Sequence, residues 1–154
     1  MIETQSQEIV VTTDPSRLDL DVIHGYLVRS YWARGIPREL VARAIAHSLC
    51  FGAFAGDRQV GFARVVTDRA TFAYLCDVFV LESHQGRGVG KQLMAAIMAH
   101  PDLQGLRRMT LFTRDAHGLY GQFGFRESRF LDRFMEVVRD QPYAPVAGTP
   151  GAAA

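Results

Sequence analysis

Residues 85–91, Gln-Gly-Arg-Gly-Val-Gly-Lys, carry the strongest chemical signal in the chain: three glycines in five positions, with two cations, at the start of a helical pattern. Backbone N–H groups at a helix start that no side chain shields attract anionic oxygen, and the helix dipole assists. Arg87 and Lys91 add mobile positive charge, so a pyrophosphate is a natural guest. A nucleoside-triphosphate loop does not fit, because it needs Gly, four residues and then Gly-Lys-Ser/Thr, whereas positions 85 and 92 are both Gln. A dinucleotide fingerprint does not fit either. It requires G-x-G-x-x-G after the first strand, and Gly86, Gly88 and Gly90 keep strict two-residue spacing after several strands. The plainer alternative is that the glycines only turn a corner. Asp77 is the second signal, as the one acidic residue inside the apolar run 71–81. A carboxylate there is costly unless it is used as a base or paired, with Arg64 as a candidate partner. Cys76 has apolar neighbours and no evident histidine partner, and reads as a buried hydrophobe. Glu82 and His84 fall at the polar corner and read as solvated surface.

The elements that must position these residues follow from pattern. Residues 8–13 form a β-branched strand that Asp14-Pro15 ends. Apolar residues recur at helical spacing through 16–32, with Leu20, Ile23, Leu27 and Tyr31 on one face. Gly35 stops that helix, and Pro37 opens a second that runs to His47. Residues 50–55 and 59–67 read as a hairpin around Gly56-Asp57. The run 71–81 reads as a central strand and 89–100 as a helix stopped by Pro101. Residues 107–113 read as a strand, 115–123 as a short helix and 133–138 as a last strand. This order predicts a mixed α/β (α+β) domain on one central sheet over residues 1–139. Residues 140–154 hold too little apolar surface to offset the entropy of ordering and read as a flexible tail.

Composition bounds the rest. The chain has 154 residues, 17 basic against 16 acidic side chains, and nearly half its residues hydrophobic. That is one globular domain with no general field toward nucleic acid or anionic lipid. No apolar run is long enough to span a membrane, and the N-terminus lacks a basic region followed by an apolar core, so no signal peptide is expected. Two cysteines in apolar settings fit a reduced, cytoplasmic compartment.

Residues 85–90 resemble the Q/R-x-x-G-x-G/A acyl-CoA loop of the GNAT acyltransferase superfamily. Residues 115–125, Asp-Ala-His-Gly-Leu-Tyr-Gly-Gln-Phe-Gly-Phe, resemble its second signature, a helix with A-x-x-L-Y that ends in G-F. Asp115 stands where the family often has Asn. The element order resembles that fold from residue 8 to about 138. The resemblance implies a sheet with two splayed parallel strands, at 73–81 and 107–113, and acetyl-CoA between them. It places pantetheine on the backbone of Phe79 and Val80 and the pyrophosphate on Gln85, Gly86, Arg87, Gly88, Val89, Gly90 and Lys91. It further implies direct attack by an amine in a ternary complex, without a metal or a covalent enzyme intermediate. Tyr120 matches the tyrosine that protonates the leaving thiolate, as a phenol that starts out protonated at neutral pH; a core aromatic is the alternative. Asp77, or a water chain, is the candidate base, since polyamine acetyltransferases of the superfamily carry acidic residues in this strand. Tyr31 and Trp32 fall where the acceptor site is bordered, and His117 sits one turn before Tyr120.

The expected function is N-acetyl transfer from acetyl-CoA to a primary amine of a small molecule or peptide. A non-catalytic acyl-CoA sensor is the alternative, and a nucleotide-binding or protein-interaction module is a third class. The acceptor, acyl length and oligomeric state stay open, a homodimer included.

Overall fold

A computed structural model describes residues 7–140 together with 142 and 143. Its core is a five-stranded sheet in sequential order β1 to β5: Ile9–Thr12, Leu49–Ala55, Arg58–Thr67, Phe72–Val80 and Arg108–Leu111. The first four strands pair antiparallel and β4 pairs parallel with β5. Helices α1 (Leu20–Leu27) and α2 (Arg38–Ala46) lie on one face, packed around Ile23, Leu27, Val41, Phe62 and Phe79. On the other face, α3 (Val89–Ala99) and α4 (His117–Gly121) cover Phe51, Leu75, Leu93 and Ile97. The expected mixed α/β architecture is therefore present.

Three departures from the sequence pattern matter to the site. Helix α1 is shorter than residues 16–32. Asp14 caps a separate 3-10 turn over Pro15–Arg17, and the Asp19 carboxylate then accepts from the N–H groups of Asp21 and Val22 to start α1 afresh. Buried Gln59 ties that start to the sheet, accepting from the Asp19 N–H and donating to the Gly61 carbonyl. The helix ends at Leu27, so Tyr31 and Trp32 lie on the following loop and not on the helical face assigned to Tyr31.

The second departure lies inside β4. Phe62 pairs with Phe79 and Arg64 with Cys76, so Asp77 and Val78 together oppose Ala63. This is a β-bulge, and Asp77 takes φ +54° to make it. Few residues other than Gly adopt that region, and Asp is among the better tolerated. The third departure is a correction: residues 133–138, expected as a last strand, pair with no strand among the described residues. Phe134, Met135, Val137 and Val138 are all exposed. Among the described residues their β-branched and apolar pattern finds no neighbouring ladder, and an extended chain without one is no strand. Most of the expected tail at 140–154 lies outside the described residues; Tyr143 is half-buried and lies near Gly35.

Candidate active site

Pairing between β4 and β5 ends at Leu75–Leu111, immediately before the bulge. Beyond it the two parallel strands separate and a cleft of about 1050 Å³ opens. Asp77, Phe79, Val80, Gln85, Gly90 and Tyr120 line it, with Tyr31 and Trp32 from the α1–α2 loop. Most of the residues singled out from the sequence are thus gathered at one opening.

The strand backbone contributes directly. Leu81 donates its N–H to the Val60 carbonyl in register with the Phe62–Phe79 pair. Antiparallel alternation therefore spends the Phe79 backbone on β3 and turns that of Val80 toward the gap. The Gln85 amide donates to the Val80 carbonyl at 2.9 Å, which ties the glycine corner to the strand end. Phe79 acts through its ring, which stacks on Tyr26 with centroids 4.2 Å apart.

At the corner, Gly86 and Gly88 take φ +76° and +80°, and Gly88 is the N-cap of α3 without any side-chain cap. A Cβ added at either would meet nothing within 4 Å. Both positions therefore need glycine for their backbone angle, while the space before the helix N-terminus is open. The first N–H groups of any helix lack intrahelical acceptors, and exposed Arg87 and Lys91 flank these. That geometry fits a pyrophosphate. Gly90 differs: a Cβ there would come 3.5 Å from Leu119 of α4, and Val89 is buried in the core.

Tyr120 is buried at the cleft wall, and its hydroxyl has no protein hydrogen-bond partner among the described residues. Burial, with smaller contributions from Tyr31 and Asp115, pushes its pKa above the usual phenol value. The phenol therefore keeps its proton at neutral pH. Asp77 is committed differently. One carboxylate oxygen accepts from Trp32 Nε1 at 2.9 Å and the other from Arg64 Nε at 2.8 Å. Arg64 also donates to the Ser48 hydroxyl. With side chains 19% and 12% exposed, Arg64 and Asp77 form a largely desolvated ion pair. Asp77 separates the cleft from a second cavity of about 340 Å³ under α2 that Tyr143 helps line.

Several contributors escaped the sequence reading. Tyr26, Arg29, Tyr74, Phe112 and Arg114 all line the cleft. The Arg114 guanidinium lies 3.9 Å from the Tyr31 ring centre, and Tyr31 meets Trp32 edge-on, so the α1–α2 loop leans across the opening toward β5. Glu82 is no simple surface carboxylate: Arg29 holds it with two hydrogen bonds, and its pKa falls to about 2 chiefly for that reason. Only the charge pattern could have hinted at such pairs, and nothing in it selects partners 53 residues apart. Burial pushes the Cys76 thiol up to about 12, which leaves no thiolate to act as nucleophile. His117 is exposed at the start of α4, and His84 bonds to the Ser83 hydroxyl. Among the described residues, no cluster of three His, Cys, Asp or Glu could hold a metal ion, and no helix is long and apolar enough to cross a membrane.

The model of the acetyltransferase (GNAT) domain matches residues 46–127, which hold both splayed strands, the glycine corner and α4. The chain belongs to the GNAT acetyltransferase family. A protein classed as an acetyltransferase in Gibberella zeae is 32% identical, over 81% of this chain and 83% of its own. A crystal structure of a protein classed as a GNAT-family acetyltransferase from Xanthomonas campestris pv. campestris superposes with TM-score 0.87. It is 55% identical and covers 90% of this chain and 98% of its own. A predicted acetyltransferase from Clostridium acetobutylicum, solved with acetyl-CoA, shares the fold at TM-score 0.62 and 12% identity, over 85% of this chain and 96% of its own. This GNAT chain is accordingly an acetyltransferase, and GNAT enzymes take acetyl-CoA as donor.

Proposed function

We propose that the chain transfers acetyl from acetyl-CoA to a primary amine of a small molecule or peptide, by direct attack within the cleft. The observation that carries this reading is the convergence on one opening of an unobstructed, positively flanked helix start and an unpartnered, protonated tyrosine.

Bound acetyl-CoA would supply the activated acetyl group as a thioester. Gly86, Gly88 and the first turn of α3, with Arg87 and Lys91, would hold its pyrophosphate, and the Val80 backbone faces the gap where an amide-bearing arm would run. Tyr120 retains its proton at Oη, available to a sulfur leaving group. Tyr31 and Trp32 border the acceptor end, and the exposed rings of Tyr31 and Phe112 suit an amine-bearing chain. Asp77 fixes the Trp32 indole and the Arg64 guanidinium. An ionised carboxylate offers about four acceptor positions, so the amine can shed its proton to the positions left on Asp77 or to water. A non-catalytic acyl-CoA sensor would need the glycine corner but not Tyr120.

Calorimetry tests the donor half. Acetyl-CoA should bind and raise the melting temperature by mass action, with ATP and NAD much weaker. ATP binding tighter than acetyl-CoA would contradict the acyl-CoA reading.

A further inference from the structure

The charges around the cleft are unevenly committed. Three arginines and two aspartates line it: Arg29, Arg34 and Arg114 against Asp77 and Asp115. Asp77 gives one oxygen to Trp32 and the other to Arg64. Asp115 stands 3.8 Å from Arg114 with both side chains exposed, a pairing that contributes little. Arg29 is taken by both oxygens of Glu82. Two guanidinium groups are left. Arg34 has no ion-pair partner among the described residues. Arg114, between β5 and α4, lies over the Tyr31 ring with its central carbon 3.9 Å from the ring centre. An upright guanidinium would drive a nitrogen into the ring at that distance, so the group lies flat. Its N–H groups then point outward in the plane, away from the ring.

We infer that Arg114, with Arg34 from the α1–α2 loop, binds a carboxylate on the acceptor, so that the acceptor is an amino acid with amine and carboxylate on one small molecule. This deepens the acetyl-transfer reading and rests on it. A guanidinium held by its face offers a planar fork that matches two carboxylate oxygens. Because Tyr31 fixes the group beforehand, less freedom is lost when the ligand arrives. The same contacts set a direction. Tyr31 meets Trp32 edge-on with centroids 5.0 Å apart, and Trp32 donates to Asp77. Arg114 and Asp77 therefore stand at opposite ends of one aromatic pair. An acceptor laid along that pair turns its carboxylate to Arg114 and its amine toward Asp77. A polyamine fits badly, since its second ammonium would meet two arginines and no uncommitted buried acid.

Trp32 is the chain's one tryptophan, so its fluorescence reads occupancy beside Tyr31 without turnover. Two pairs of probes differ only in the carboxylate: phenylalanine with phenethylamine, and γ-aminobutyrate with propylamine. Titrated into the full chain loaded with coenzyme A, the carboxylate member of each pair should bind roughly ten- to hundredfold more tightly, the scale of a charge-assisted pair. Arg114→Gln should bring that ratio toward one, and Arg34→Gln should lower it. Arg114→Lys, which keeps the charge but not the fork, should retain only part of it. A residue that merely supported the Tyr31 loop would weaken both members alike and leave the ratio standing. Absent or equal binding within the wild-type pairs would overturn the inference. So would a ratio that survives Arg114→Gln, or spermidine binding more tightly than either amino acid. Thiol release from acetyl-CoA separates the two readings. A carboxylate preference in binding without amine-dependent release would contradict acetyl transfer and keep the carboxylate site, whereas release with no such preference would do the reverse.

Discussion

Tyr120 and Asp77 show how unevenly single residues can be read. Tyr120 stood out through its place in the A-x-x-L-Y pattern, and the structure puts it at the cleft wall without a protein partner for its hydroxyl. Asp77 stood out as a lone acid in an apolar strand. Its meaning, however, depends on a bulge and on Trp32 and Arg64, which approach from 45 and 13 residues away. Asp77→Asn keeps the size but removes the charge opposite Arg64 and the acceptor for one of its two bonds. We expect it to lower stability by about 3 kcal/mol, the scale of breaking a desolvated pair. Thermal unfolding measures that loss. If Asp77 only positions Trp32, the acidic limb of kcat/KM stays where it was in the wild type. A limb that vanishes in a folded Asp77→Asn protein would instead make this carboxylate the base.

At the scale of elements, strands β1 to β4 and helices α2 and α3 were legible because their apolar periodicity is satisfied within one sheet. The end of α1, the bulge in β4 and the fate of 133–138 were not, since a cap, a bulge and a ladder partner absent among the described residues are decided by tertiary contacts. The glycine corner illustrates the gain from structure, because it separates three glycines that look alike in sequence. Gly88→Val would strain a φ of +80° and project branched carbons into the open space before α3. Acetyl-CoA affinity should collapse while the fold stays native by circular dichroism. Gly90→Ala, whose Cβ makes ordinary contact with Leu119, should leave affinity within a few-fold. Equal effects of the two would assign the glycines to packing alone. The same corner is tied to the α1–α2 loop through Arg29 and Glu82. Because Glu82 titrates low in the folded protein, whatever the pair contributes is present above about pH 4.5 and fades as pH falls toward 2. The Glu82 carboxyl resonance should show a midpoint near 2, and Arg29→Gln should return it toward that of an ordinary glutamate.

Taken whole, the molecule is a sheet that one bulge opens at its parallel pair, with an unobstructed helix start at one end of the gap and an aromatic border at the other. The glycine corner was readable from sequence because backbone geometry demands glycine at Gly86 and Gly88. The rest of the cleft wall was barely readable, since Tyr26, Tyr74, Phe112 and Arg114 come from separate elements and share no spacing. We propose that this opening performs acetyl transfer to an amine with Tyr120 as proton donor. The most direct measurement is acetyl-CoA-dependent release of free thiol across a panel of small amines and peptides, for wild type and Tyr120→Phe side by side. Wild type should release thiol in an amine-dependent way on at least one acceptor. On that acceptor, Tyr120→Phe should lose roughly ten- to ten-thousand-fold in kcat, the range of a general acid, with acetyl-CoA affinity little changed. Wild-type turnover by folded Tyr120→Phe protein, or thiol release that no amine accelerates, would contradict it.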